Sequence, residues 1–334
     1  MARYAVRRLV SMCLVVVGVT SVVFVITRLL PADPVGWAAG PQAGPEQVAR
    51  LRSMMRLDRP LWEQYVTYLA GLGRGDLGFS MYTLQPVAQD LRTFFPATAE
   101  LALYAMGLTV ILSTVLGVTA ALSWRHLSDT IISLLSTVGA AIPVFWLGLM
   151  FQVVLYGQLG WFPPGERLSP DMASPVSLTG LLTVDAVLRG RADVLVNALY
   201  HLILPALTLA LQRTAVVTRM VRSSMLEVLR QDYIRTARAK GLSGRRVLYV
   251  HALRNASLSV LTLLGLQFGW LLGGTVLVEA IFQWPGIGLY AVRAISQLDY
   301  SVVAGVTLLV SVLFVLINFG VDLFYAILDP RIRY

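Results

Sequence analysis

Residues 9–30 read LVSMCLVVVGVTSVVFVITRLL, a predominantly apolar run of the length that crosses a hydrocarbon core of about 30 Å, which takes roughly 20 helical residues. The run follows Arg3, Arg7 and Arg8, a basic flank that a secretory signal shares. It is too long for the apolar core of such a signal, and no small-x-small cleavage site precedes Pro31, so it reads as a retained membrane anchor. Five more stretches of the same kind follow at about 101–122, 130–156, 198–221, 257–279 and 300–322. The 198–221 stretch is the least regular, because Arg213 interrupts it and His201 sits near its start. The pattern predicts an all-α integral membrane protein with about six transmembrane helices.

Composition agrees. Of 334 residues, 57% are hydrophobic and 13% charged, against about 25% charged in an ordinary soluble domain, and the mean hydropathy is +0.71. The net charge of +9 raises the question of nucleic acid, but a nucleic-acid domain clusters its basic residues on a soluble face. Here they follow the loops instead. With the N-terminus inside, residues 1–8, 123–129, 222–256 and 328–334 hold fourteen basic residues against four acidic ones, Asp129, Glu227, Asp232 and Asp329. The loop 157–197 holds three basic against four acidic, and the loop around Arg293 one against one. Such an excess of Lys and Arg marks the cytoplasmic side, so both termini and the 222–256 loop are expected there, and no nucleic-acid partner is needed to explain the charge.

A single cysteine, Cys13, excludes a disulfide framework and a Cys-based metal site; neither C-x-x-C nor H-E-x-x-H occurs. Cys13 reads as a small lipid-facing or core residue. Residues 31–98 are rich in turn formers such as PADP and GPQAGP and carry six Arg against six acidic residues, which predicts a small polar domain or long structured loop outside the bilayer. Residues 178–197 mix apolar side chains with Asp185, Arg189, Arg191 and Asp193. That mixture fits either an amphipathic helix on the outer surface or an ordinary outer loop packed on the bundle.

The long loop 222–256 reads RSSMLEVLRQDYIRTARAKGLSGRRVLYVHALRNA. Met225, Leu226, Leu229, Tyr233 and Ala237 recur at spacings that include the three and four of an amphipathic helix. Gly241 is placed to end it, and Ser243 to cap a second helix from about Gly244 to Asn255. Two short basic helices with a tight bend between them are expected, suited to a partner surface or to anionic headgroups.

This segment resembles the coupling loop of binding-protein-dependent ABC importer permeases, which is marked by Glu-Ala-Ala followed four residues on by Gly. Arg235, Thr236, Ala237 and Gly241 stand at those positions, so the Glu is replaced. RTARAKGL is itself similar to the peptide-permease branch. The resemblance extends over nearly the whole chain: GDLGFS at 75–80, PVAQDLRTFFPATAEL at 86–101, IPVFWLGL at 142–149, LGWFPPG at 159–165, LPALTLAL at 204–211, EAIFQWPGIG at 279–288 and DPRIRY at 329–334 are similar to the B-type subunits of dipeptide, oligopeptide and nickel permeases. Ser259 and Ser301 stand where that family commonly has Pro, which leaves local kinks there open.

The resemblance implies an architecture: residues 1–30 as N-terminus and first span, 31–98 as extracytoplasmic segment, 99–334 as permease core with the coupling loop. It implies a transmembrane subunit of the bacterial plasma membrane that forms, with a second homologous permease, a pathway for di- and oligopeptides. A solute-binding protein would deliver the peptide, and two ATPase subunits would grip the coupling loop, with Glu227, Asp232, Arg235, Thr236, Ala237, Lys240, Gly241, Leu242 and Ser243 as the residues concerned. No G-x-x-x-x-G-K-[ST] phosphate loop occurs in the chain, so ATP and Mg are expected on the partners and no cofactor or metal here.

The rival classes find less support. A secondary carrier places ionisable groups or broken helices near the midplane, whereas five of the six segments lack central charges. An intramembrane enzyme needs a nucleophile beside a base, and nothing places one beside His126, His201 or His251. A structural interaction protein explains neither the coupling-loop pattern nor its bend. Arg213 admits two readings: a residue lining the pathway, where charges deep in a bilayer face a cavity or bundle interior, or a side chain snorkelling to the headgroups.

Overall fold

The computed structural model describes residues 2–29, 44–54 and 58–328. The PADP stretch, most of GPQAGP and the DPRIRY terminus lie outside them. The chain runs through α1 (Ala2–Leu29), α2 (Pro45–Met54), α3 (Leu61–Gly73), α4 (Val87–Leu122) and α5 (Leu127–Ala141). Next come α6 (Val144–Phe151), which runs on as π-helix through Gln152–Gln158, then α7 (Leu182–Leu188), α8 (Ala192–Leu229) and α9 (Asp232–Ala239). A π-helical Arg246–Leu253 leads directly into α10 (Arg254–Ile281), followed by α11 (Ile287–Ser296) and α12 (Tyr300–Leu328). Among the described residues the only strand-like pairing is one antiparallel bridge, Phe79 to Pro86.

Four of these helical runs are long and apolar enough to cross a membrane: Val87–Leu122, Ala192–Leu229, Arg246–Leu271 and Tyr300–Val321. α1 contributes an apolar stretch, Cys13–Thr27. The 130–156 segment is the one the structure redraws. It is a pair of helices, Leu127–Ala141 and Val144–Gln158, bent by 102° at the break. The cause is local: Pro143 removes an amide donor, and Ile142 before it is extended at ψ 125°, as the residue before a proline prefers. Each arm, 15 residues and at most about 23 Å, is too short to span the core alone.

α8 is the hub, packing against α4, α5, α6, α7 and α10. Its contact with α4 is close because α4 presents small residues at helical spacing: Ala102, Ala105, Thr109, Ser113, Gly117 and Ala121 are all buried. In lipid, where apolar association has no hydrophobic drive, small side chains let backbones approach and gain dispersion contact. A Cβ on Gly117 would lie 2.6 Å from Val221, and Thr109 Oγ1 reaches both Ala105 O at 2.8 Å and Ala210 O at 3.4 Å. Gly265 and Gly269 of α10 give Val321 and Phe314 of α12 similar room. Pro96 and Pro205 sit inside α4 and α8. The helix surfaces turned away from these contacts expose Leu, Ile and Val throughout, as a lipid-facing bundle does.

Element boundaries differ from the sequence reading in three places. α4 is continuous from Val87 to Leu122, so the division between residues 98 and 99 falls inside a helix. α8 continues past 221 to Leu229, and with it the beginning of the long loop. The 178–197 stretch is no surface-lying amphipathic helix: α7 spans only seven residues, and its Leu182 and Ala186 are buried with Val194 and Ala198 of α8. Asp185 anchors this loop, accepting hydrogen bonds from the backbone of Leu178, Thr179 and Gly180 and from the Thr179 hydroxyl. Burial pushes its carboxyl up, but these hydrogen bonds outweigh it and hold the group below its ordinary value of 3.8.

Candidate coupling site

The 222–256 loop folds as the tail of α8, an eight-residue α9 and the head of α10. α8 stops after Leu229, where Arg230 and Gln231 donate to the Glu227 and Val228 carbonyls. Gln231 is extended, with ψ 148°, and turns the chain into α9. The first of the two predicted helices is therefore split by a break at Arg230–Gln231. The second is the head of a spanning helix rather than a separate one.

The bend at Gly241 is as expected and has a defined geometry. Leu242 N donates to Ala237 O at 3.3 Å and Gly241 N to Arg238 O at 3.0 Å, the two bonds of a Schellman cap. Gly241 has φ +76°, a left-handed conformation that L-residues resist. Ser243 stands at the next helix start, where its carbonyl accepts from Val247 N at 3.0 Å; the side-chain cap expected of it is not among the described hydrogen bonds.

α9 has two distinct faces. Ile234 and Ala237 are buried with Val221 and Met225 of α8, Val118 and Ala121 of α4, and Val247 and Ala252 at the head of α10. Burying a side chain the size of Ile234 stabilises by about 1.5–3 kcal/mol, and α9 packs most closely on the π-helical Arg246–Leu253 that leads into α10, within a buried cluster that α4 and α8 also enter. Asp232, Arg235, Thr236 and Lys240 are exposed on its other face, with Gly241 and Ser243 exposed beyond its end and Leu242 half-buried. Asp232 and Arg235 lie 3.5 Å apart with side chains 93% and 82% exposed, which leaves both available to a partner. Glu227, exposed on the last turn of α8, lines a cleft of about 470 Å³ with Arg222, Arg230 and Gln231.

A second connection at this end escaped the sequence reading. Arg222 of α8 grips Asp129 of α5 through Nε at 2.6 Å and Nη2 at 2.8 Å. Asp129 also accepts from Arg125 N at 3.1 Å, across the tight turn between α4 and α5. Such planar bidentate pairing is what a guanidinium offers a carboxylate. It places residues 123–129 and 222–256 at one end of the bundle, the two loops that the sequence reading puts on the same side. The only sequence signal was a lone Asp in a short loop with one Arg, Arg125.

Arg213 lies near the middle of α8 and reaches sideways to α10. Its Nη1 donates to Gln267 Oε1 at 2.8 Å, and its Nη2 lies 3.6 Å from where a Cβ on Gly274 would sit. The guanidinium is thus held across α10 between the levels of Gln267 and Gly274, and is not extended along α8 toward either end.

The opposite end is closed by a buried polar lock that joins three of the sequence motifs. Glu279, fully buried, accepts from Thr98 Oγ1 at 2.8 Å, Gly288 N at 2.7 Å and Leu289 N at 3.1 Å. A carboxylate at the amino end of α11 satisfies otherwise orphaned amides and favours the helix dipole. Thr98 Oγ1 in turn accepts from Ile287 N, and Trp284 Nε1 donates to Ala97 O at 2.8 Å. Glu100 pairs with Arg167 at 2.6 Å and accepts from Thr183. The 159–165 motif closes the set: Glu166 N donates to Phe282 O, and the His201 ring bridges Gly165 O and the Ser169 hydroxyl, so His201 is a structural residue.

The sequence places these two ends in a known family. Residues 113–334 match the family described as binding-protein-dependent transport system inner membrane component, and residues 1–102 match the N-terminal region of the same kind of membrane component. The chain is 43% identical to the dipeptide transport system permease protein DppB of Alkalihalophilus pseudofirmus over 335 residues, covering all of both chains. It is 44% identical to the probable D,D-dipeptide transport system permease protein DdpB of Escherichia coli, covering 98% of this chain and 96% of that one. To the glutathione transport system permease protein GsiC of Escherichia coli it is 36% identical over the full length of both. This chain belongs to the family of inner-membrane components of binding-protein-dependent transport systems, and is a multi-pass membrane permease subunit of an ABC importer.

Proposed function

We propose that this chain forms, with a second homologous permease, the translocation pathway for di- and oligopeptides handed over by a solute-binding protein, and that two separate ATPase subunits drive it through α9. The observation that carries the coupling role is the two-faced α9, which packs on the head of α10, shares through Ile234 and Ala237 a buried cluster with α4 and α8, and is charged on its free face. A displacement of α9 cannot be absorbed locally, because close-packed contacts transmit strain rather than damp it. ATP and Mg belong on the partner subunits, since the chain has no phosphate loop. Nucleotide shifts the equilibrium between inward- and outward-open arrangements only by its difference in affinity for them. The basic end is cytoplasmic, together with both termini. Peptide as cargo rests on the relatives named for dipeptides and glutathione.

Arg213 faces the pathway in this reading. Its cross-helix bond to Gln267 holds a charge near mid-depth, where it attracts a peptide carboxylate or an acidic residue of the second permease.

The test is made on the reconstituted transporter. Gly241→Val strains the left-handed bend by roughly 1–2 kcal/mol, whereas Gly241→Asn tolerates it and has open space for its side chain. The reading expects peptide-stimulated ATP hydrolysis and uptake to fall severalfold in Gly241→Val and to survive in Gly241→Asn. Full coupling in Gly241→Val would overturn the role of α9.

A further inference from the structure

α3 is built inside out. Its large outward residues are Leu61, Trp62 and Val66, 59%, 66% and 58% exposed, with Thr67, Ala70 and Gly73 the other exposed positions. The side turned to the protein carries Gln64, Tyr65 and Tyr68. A helix at a protein–water boundary shows the reverse order, apolar in and polar out. The contacts of α3 fix its depth. The Tyr65 hydroxyl bonds the Ser21 hydroxyl of α1 at 2.5 Å, and the Tyr65 and Tyr68 rings pack on Phe24 at 5.2 and 5.6 Å. Ser21 and Phe24 belong to the apolar stretch Cys13–Thr27 of α1, with Ser21 about 12 Å below the Leu29 end at 1.5 Å per residue. Val22, Val25 and Ile26, at the same level, are exposed, an apolar surface of the kind that faces hydrocarbon. Arg59 and Glu63 pair at 3.5 Å beside the start of α3, a polar edge of the kind that sits among headgroups, where Trp and Tyr are also favoured.

We infer that α3 is a membrane-embedded helix, sunk into the leaflet at the Leu29 end of α1 with Leu61, Trp62 and Val66 against lipid. The stretch 31–98 is then not wholly an extramembrane segment. The inverted faces follow: the Tyr65 hydroxyl and the Gln64 amide nitrogen find partners inside the protein, at the Ser21 hydroxyl and the Arg59 carbonyl, because the lipid side offers none.

The inference goes beyond the transport reading and stands or falls separately from it. A nitroxide label is placed at Val66→Cys, and in parallel at Leu61→Cys, on a Cys13→Ser background. Both are examined in the full transporter in nanodiscs of phosphatidylethanolamine and phosphatidylglycerol. Quenching by oxygen that exceeds quenching by a water-soluble nickel chelate at both sites is the expected result. Dominance of the nickel chelate at either site places that face in water. Protection from both reagents places it against another subunit. Either outcome overturns the lipid assignment.

Discussion

Thr98 donates its hydroxyl hydrogen to the Glu279 carboxylate at 2.8 Å, across 181 positions of sequence. The same carboxylate receives the Gly288 and Leu289 amides, so one buried acid ties α4, α10 and α11 together. Glu279→Gln keeps the shape and one acceptor oxygen for the Gly288 and Leu289 amides, but puts an NH2 where the other carboxylate oxygen accepted from the Thr98 hydroxyl. Leaving a buried polar group unsatisfied costs about 1–3 kcal/mol, and Thr98→Val loses the other half of the same bond. Thermal unfolding of the detergent-solubilised protein should show both variants clearly less stable than the parent. Unchanged melting of Glu279→Gln would contradict the lock.

The Asp129–Arg222 pair lends itself to a double-mutant cycle. Asp129 is almost fully buried, while Arg222 keeps 29% of its side chain exposed, so solvent weakens the pair below a fully buried one. Asp129→Asn and Arg222→Gln are each expected to destabilise. Their combination should fall short of additivity by between about 0.5 and 3 kcal/mol. Strict additivity would mean that the pair does not act as a unit.

Arg213 is tested by charge and shape together. If it faces the pathway, Arg213→Lys retains part of the uptake and Arg213→Gln loses nearly all of it at equal expression, with ATP hydrolysis uncoupled from transport. Uptake by Arg213→Gln equal to the parent, with the same binding protein and ATPases, removes Arg213 from the pathway.

Asp185 makes the loop before α8 acid-sensitive. Its folded-state value is depressed below 3.8, so its contribution is fully present above that value and is lost as pH falls through the lower folded one. Proteolytic cutting of residues 178–191 should rise in the parent as the pH is lowered below 3.8. Asp185→Asn should be cut readily already at neutral pH, and resistance there would contradict the anchoring role.

What the sequence made legible was what depends on local pattern. Apolar length located the spanning helices, the loop reading put 123–129 with 222–256, and Gly241 marked the bend. The break at Pro143 was visible as a residue but not as a 102° turn, because apolar length alone does not register direction. Asp129–Arg222 and Glu279–Thr98 were out of reach for a different reason. Each pairs residues brought together by helix packing, 93 and 181 positions apart, and no periodicity within one helix records that. The motif strings 86–101, 159–165 and 279–288 were recognised singly; only the fold shows that they meet. The inverted faces of α3 were hidden because Glu63 and Gln64, with Arg59 just before the helix, read as solvent-exposed until α1 fixed its depth.

The central claim is that α9 is the contact through which a partner ATPase moves this permease. It is tested most directly by cross-linking from Ser243→Cys and Arg235→Cys on a Cys13→Ser background in the assembled transporter, with a short bifunctional reagent. The account predicts that both positions join to the ATPase subunit, and that the yield changes between nucleotide-free and ATP-bound samples. Absence of cross-links from both positions, in a preparation where the ATPase copurifies and hydrolyses ATP, would contradict it.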